Sequence, residues 1–269
     1  MEAFFTPPLL ALGIGSLIVG GAWLVQRRTG TAALIDPIWS AIIGLSGAFY
    51  AVVSDGWRPR RVLIAALIGI WSARLTWHLV HRIANEREDG RYTRLRSTWK
   101  QSFQGNLFWF YQAQAVLAVL LTLPLMTLCT SEHEGWRGLD MVAIGLFVAS
   151  LAGESIADRQ LGSFRCDPAN KGKTCTVGLW RWSRHPNYFF EWLHWIVYPV
   201  LAIGLPWGWT AWFAPALMFF LVYQVTGIPP TEEQALLSRG DDYRRYQKTT
   251  NAFFPGPNRK PSDRQVKST

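Results

Sequence analysis

Acidic residues are scarce in this 269-residue chain, with 18 Asp and Glu against 27 Lys and Arg, and cysteine is scarcer, at three. Cys166 and Cys175 lie nine positions apart with no histidine at zinc-finger spacing. A structural metal site is therefore disfavoured, and the cysteines, Cys129 included, read as free thiols. No apolar block alternates with the period of a strand, which argues against a porin-type barrel. There is no internal repeat, low-complexity tract or sign of a second domain. No basic cluster precedes the first apolar block, where only Glu2 is charged, and no clean small-residue cleavage site follows it. That block reads as a retained helix and not as a signal peptide.

What the chain has in quantity is apolar residues, in long blocks with the charges between them. A helix needs about 20 such residues to cross a hydrocarbon layer of roughly 30 Å. The chain therefore reads as an all-α polytopic membrane protein. Its seven transmembrane helices fall near 8–25, 32–54, 62–82, 107–129, 139–157, 187–205 and 207–227. With the N-terminus out and the C-terminus in, the inner side holds 22 Lys and Arg, counting Arg82 at the membrane edge, and the outer side 4; the positive-inside rule selects that orientation. The net charge of +9 is mostly this excess, and anionic lipid accounts for it with no need of nucleic acid. Residues 1–256 read as one membrane domain with a cofactor-binding half at about 140–256, and 257–269 as a disordered cytoplasmic tail. Segment 166–176 is a loop by its Pro, Gly and Asn content, and 231–248 a helix that Gly240 interrupts.

Ionisable groups inside a span are costly unless paired or wetted, so each is a functional candidate. Asp36 opens the second span before Pro37, where it serves as a helix cap, a functional acid or both. Arg74, His78 and His81 share one face of the third span; the histidines lie near the inner interface and Arg74 lies deeper. The inner loop NEREDGRYTRLR is either a solvated loop or a phosphate site. In the second case Glu86, Glu88 and Asp89 hold its arginines, and Tyr92 and Trp99 are placed to stack. Glu154 and Asp158 are one helical turn apart, with Arg165 seven residues on, and suit the binding of ribose hydroxyls or an amide. The densest cluster is GLWRWSRHPNYFFEWLHW at 178–195. Arg181, Arg184 and His185 precede Pro186, which suits the first turn of a helix, so positive groups meet free N–H donors. A membrane interface also favours Arg, Trp and Tyr. It does not account for Asn187 and Glu191 one turn into the bilayer, on the face that Trp195 continues.

SRHPNYFFEW resembles the RHPNY-type motif of the steroid 5α-reductase family, in particular its bacterial DUF1295-like membrane reductases. Asp36 and Trp39 as DxxW, the charged loop of Arg82 and Arg87–Tyr92, and Asp158–Arg165 as DxQLxxFR accompany it, over about 30–255 of the chain. The resemblance implies a seven-helix bundle that holds NADPH in its C-terminal half, open to the cytoplasm, and reduces the C4–C5 double bond of a 3-oxo-4-ene steroid. It implies Glu154, Asp158, Arg165, Asn187 and Tyr188 around the cofactor, joined by Arg74, Arg91, Arg181, Arg184, His185, Glu191, Glu233 and Tyr243. Asp36 takes the place of the acid that polarises the substrate carbonyl. The family's tyrosine falls near Trp71, which is no acid, so Tyr50 or Tyr92 is the expected replacement, with Trp39 and Trp71 against the substrate. Many relatives carry glycine where Phe190 stands, so packing against the cofactor differs here.

Under this reading a hydride reaches the β-carbon of an enone, a donor beside the carbonyl stabilises the enolate, and a proton follows at the α-carbon. Asp36 donates only if a dry site keeps it protonated. The expected setting is a monomer in a bacterial inner membrane, surrounded by membrane lipid, with a hydrophobic substrate arriving from the bilayer. One rival is an S-adenosylmethionine-dependent methyltransferase of the isoprenylcysteine or phospholipid type, whose related C-terminal half binds a smaller, cationic cofactor needing fewer arginines. Another is a transporter or lipid scaffold; against it, the polar residues crowd at one membrane face and no inverted halves are visible.

Overall fold

The computed structural model describes residues 2–85 and 90–259, with side chains from Phe5 onward. Glu86, Arg87, Glu88 and Asp89 of the charged inner loop, and 260–269 of the expected tail, lie outside the described residues. Among the described residues there is no strand. The helices in chain order are α1 (Glu2–Thr29), α2 (Ile35–Val53), α3 (Arg58–Asn85), α4 (Gly90–Trp99), α5 (Phe103–Cys129), α6 (Gly138–Cys166), α7 (Pro186–Ala202), α8 (Phe213–Phe220), α9 (Ile228–Arg239) and α10 (Asp241–Thr249).

Six stretches are long and apolar enough to cross a membrane: Phe5–Thr29, Ala32–Val53, Arg58–Asn85, Gly90–Cys129, Gly138–Cys166 and Gly208–Arg239. The remaining expected span is α7, which has 17 residues. At 1.5 Å per residue it measures roughly 26 Å, a little under the hydrocarbon thickness. It ends early because the chain turns back through Gly204 at φ +77°. Helix α6 instead runs past its expected end at 157 to Cys166, so Glu154, Asp158 and Arg165 share one continuous helix, with Arg165 in the favourable last turn. The last span is broken. Leu221–Val225 forms a π-turn in which the Thr226 N–H reaches Leu221 O at 2.7 Å, and Pro229 and Pro230 then open α9, where no N–H is needed.

The chain divides into two compact units. The first takes the residues up to Asp140 and Tyr198–Ala214; the second takes Met141–Val197 and the residues from Pro215 on. In the first, α2 packs on α3 and α5. Gly44 lets α2 and α3 approach closely, because a Cβ there would stand 2.3 Å from Ser72 Oγ. The seam is polar: Ser72 Oγ donates to Ser40 O at 2.7 Å, and Ser40 Oγ and Thr76 Oγ1 share a 2.7 Å hydrogen bond. Farther along, Arg60 pairs with Asp140 at 3.2 Å, both fully buried. Asp140 also accepts the Arg137 N–H at 2.8 Å, capping α6, while Arg137 Nη1 donates to Ile203 O at 2.7 Å beyond the end of α7.

In the second unit, α6 and α7 meet through small residues and rings. Gly153 makes room for Phe190, whose ring lies 2.4 Å from where a Cβ would stand. Trp180 Nε1 donates to Ala157 O at 2.9 Å. Phe189, Trp192, Phe219 and Phe253 form an edge-to-face cluster that ties α7 and α8 to the segment after α10.

Candidate functional site

Within the first unit, three side chains converge on Asp36 in the first turn of α2. Tyr92 Oη donates to Oδ1 at 2.6 Å, and Arg91 and Arg82 reach Oδ2 at 3.0 and 3.4 Å. All of these partners are side chains of α3 and α4, and none is a backbone N–H, so Asp36 does not act as a helix cap. Asp36 is 18% exposed and the arginines about a third. Tyr92 is buried, edge-on to Phe110 at 6.5 Å and under the Arg91 guanidinium at 5.5 Å. In this arrangement Asp36 accepts three donors, Tyr92, Arg91 and Arg82.

The structure thus brings Tyr92 to Asp36 and leaves Tyr50 apart. Tyr50 is fully buried, and its Oη accepts from Thr122 Oγ1 at 3.5 Å. It sits fourteen residues beyond Asp36 on the same helix, roughly 21 Å along the axis. Trp39, one turn from Asp36, keeps Nε1–H buried without a hydrogen-bond partner among the described residues, and Trp71 is fully buried in α3. An apolar cleft of about 1100 Å³, lined by Leu123, Pro124, Trp207 and Phe213 among others, opens near the C-terminal end of α5. Tyr111, nearer the start of α5, bonds Ala32 O close to the Asp36 end, so the cleft lies well away from Asp36.

In the second unit RHPNY forms a hub around Glu232, which is not among the residues singled out from the sequence. Arg184 Nε donates to Glu232 Oε1 at 2.6 Å, the His185 ring meets the same oxygen at 3.2 Å, and Gln247 Nε2 donates to Oε2 at 2.7 Å. Arg184 also donates to Thr250 O at 2.6 Å and Gln247 O at 3.1 Å at the end of α10. Arg184 therefore joins the start of α7 to α9 and α10, and His185 joins it to α9. The signal that could have separated Glu232 from Glu233 is absent locally, because the two acids are neighbours in the same helix; Glu233 is exposed and Glu232 is half-buried.

Beside this hub, the His185 ring stacks on Tyr188 at 5.3 Å, and Tyr188 Oη shares a 3.2 Å hydrogen bond with Thr231. Asn187 Nδ2 donates to Asp158 Oδ1 at 3.3 Å, joining α6 to α7, and Trp195 Nε1 donates to Glu191 at 3.3 Å. Glu154 is buried one turn before Asp158. Arg165 and Arg181 are exposed, and Tyr243 is buried against Tyr246 at 5.8 Å. Arg74 and Arg91, expected at the cofactor, belong to the first unit, Arg91 on Asp36 itself.

Burial pushes the His185 pKa below its ordinary value, against the opposing pull of Glu232. The unfolded chain takes up a proton near the usual value of about 6.5 that the native ring refuses, so folding stability present at neutral pH declines as pH falls through that range. The melting temperature of the detergent-solubilised protein is expected to drop between about pH 7.5 and 5.5, with His185→Gln flattening the drop. An unchanged slope in the variant would show that His185 carries none of it.

A profile of the family described as protein of unknown function (DUF1295) matches residues 22–250, a span that takes in the sites just described from Asp36 to Tyr243. An uncharacterized protein of Schizosaccharomyces pombe is 26% identical over 282 aligned residues, covering 93% of this chain and 80% of its own. No solved structure matches. With the family's profile covering most of the chain, and an all-helical fold with six stretches fit to cross a membrane, the protein belongs to the DUF1295 family.

Proposed function

We propose that the protein is a membrane-embedded, NADPH-dependent reductase of a carbon–carbon double bond conjugated to a ketone, with 3-oxo-4-ene steroids as the first substrates to try. The reading includes seven membrane crossings, α7 among them, with the N-terminus outside and the RHPNY side in the cytoplasm. The observation that carries it is the 2.6 Å hydrogen bond between Tyr92 and Asp36, flanked by two arginines. A phenol whose hydroxyl can rotate from a carboxylate to a ketone oxygen is a suitable stabiliser of an enolate. Arg82 and Arg91 balance the Asp36 charge while the hydroxyl turns away. Methyl transfer has no use for this donor beside a carbonyl, which ranks the methyltransferase reading second.

The donor set of the second unit fits a dinucleotide. Asp158 and Glu154 suit ribose hydroxyls, the Asn187 amide suits a carboxamide, Tyr188 presents a ring, and Arg165 suits phosphate. When bound, the nicotinamide supplies the hydride. Arg184 and His185 are engaged on Glu232 and act by holding α7 in place.

The test uses the full chain in liposomes. NADPH at about a hundred times its dissociation constant is expected to add roughly 2.7 kcal/mol of stability, while S-adenosylmethionine adds none. NADPH oxidation should then depend on an added Δ4-3-oxo steroid or other enone. Stabilisation by S-adenosylmethionine alone would replace the reductase reading with the methyltransferase one.

A further inference from the structure

Where α5 ends, in the first unit, the cleft of about 1100 Å³ grades from apolar to polar along one helix. Leu123, Pro124 and Thr127 share a face of α5, and Thr130, Ser131, Glu132 and His133 follow its last residue, Cys129. Leu123 and Cys129 are roughly 9 Å apart along the axis, so over about that distance an oily wall gives way to hydroxyls, then to a carboxylate and an imidazole. That is the order of an amphiphile: chains, ester region, headgroup. The volume exceeds the roughly 300–1,000 Å³ usual for compact ligands, which favours a two-chain lipid over a single flat ring system.

The polar end is rich in acceptors. Thr130 Oγ1 donates to Met126 O and Thr127 O, both at 3.1 Å, and Thr210 Oγ1 donates to Trp207 O at 2.7 Å, so these hydroxyls have lone pairs left to offer. Among the described lining residues Glu132 is the one carboxylate, and there is no Lys or Arg. The arginines at this end of the unit are engaged on backbone: Arg61 Nη1 donates to Ala51 O at 3.0 Å, and Arg137 Nη1 to Ile203 O at 2.7 Å. Trp207 adds an indole. It is 70% exposed and takes φ +58°, a conformation that strains a bulky side chain. The turn around it is fixed, with the Gly208 N–H on Leu205 O at 3.0 Å and the Thr210 N–H on Trp207 O at 2.9 Å, and a Cβ on Gly208 would collide with Ala202 O. A carboxylate, hydroxyl lone pairs and an exposed indole together suit a primary ammonium, which brings three N–H donors and a positive charge.

We propose that this cleft binds a phospholipid with a primary-ammonium headgroup, phosphatidylethanolamine, its chains along Leu123 and Phe213 and its ammonium on Glu132 and Trp207. The His133 ring carries an N–H donor in either neutral tautomer and suits the adjoining phosphate. The site uses none of the residues assigned to reduction, and it holds whether or not the reductase reading does.

The experiment uses the full chain in detergent. Native mass spectrometry reads bound lipid and oligomeric state as phosphatidylethanolamine, phosphatidylcholine and phosphatidylglycerol with identical chains are added. Wild type is expected to hold phosphatidylethanolamine about tenfold or more tightly than either of the others. Glu132→Gln should erase the preference over phosphatidylcholine, and Glu132→Asp should keep most of it. Trp207→Gly should weaken phosphatidylethanolamine binding by about tenfold. Its lipid-free melting temperature should be unchanged or higher, because glycine takes the φ of this turn without strain. Equal retention of the three lipids by wild type, a preference for either of the other two, or Glu132→Gln and Trp207→Gly variants that bind like wild type would overturn the proposal. So would a dimer that Trp207→Gly breaks in the absence of any lipid preference, which would give the cleft to a second copy of the chain.

Discussion

Replacing Tyr92 with phenylalanine is expected to lower kcat for enone reduction by about 10²- to 10³-fold, the usual effect of removing one oxyanion donor. The ring stays packed against Phe110, so only the hydroxyl that bonds Asp36 is lost. KM should change little if the hydroxyl acts mainly in the transition state. Asp36→Asn should also lose activity, since the amide cannot compensate the charge of Arg82 and Arg91. Tyr50→Phe is the informative contrast. Its hydroxyl meets Thr122 far along α2, so kcat should stay within about threefold of wild type. The reverse result, with Tyr50→Phe inactive and Tyr92→Phe normal, would move the donor away from Asp36 and remove the observation on which the reductase reading stands.

Asp140→Ala should be the most destabilising single substitution among those considered, at about 3–5 kcal/mol, because it leaves Arg60 buried and uncompensated. It also removes the acceptor for the Arg137 N–H at the start of α6. The melting temperature in detergent should fall by on the order of 10 °C. The double variant Arg60→Met/Asp140→Leu tests the cause. Replacing a buried ion pair with apolar side chains of similar volume is often neutral or stabilising, so it should recover much of the loss. A double variant as unstable as the single would assign the effect to the α6 cap and not to the unpaired charge.

Phe190 gives a smaller lesson of the same kind. The family resemblance implies a glycine at this position, without saying what absorbs the ring. Gly153 on α6 provides the space, 37 positions earlier in the chain, and the two residues share no local pattern.

Hydropathy along the chain was enough to establish the all-helical class and the helices fit to cross a membrane, because the need to bury every backbone N–H and C=O in oil acts on each segment separately. It also singles out Asp36, Asp158 and RHPNY as candidates, because polar groups next to long apolar blocks are costly to bury wherever the chain later goes. It could not say that Tyr92 and not Tyr50 meets Asp36, that Glu232 and not Glu233 meets His185, or that Arg60 pairs with Asp140. Those partners are separated by 56, 47 and 80 residues in the contacts that define them: Tyr92 to Asp36, Glu232 to His185, Arg60 to Asp140. Only the return of α4 onto α2, of α9 onto the start of α7, and of the first turn of α6 onto α3 brings them within hydrogen-bonding distance, and burial then makes it costly to remove one partner and leave the other.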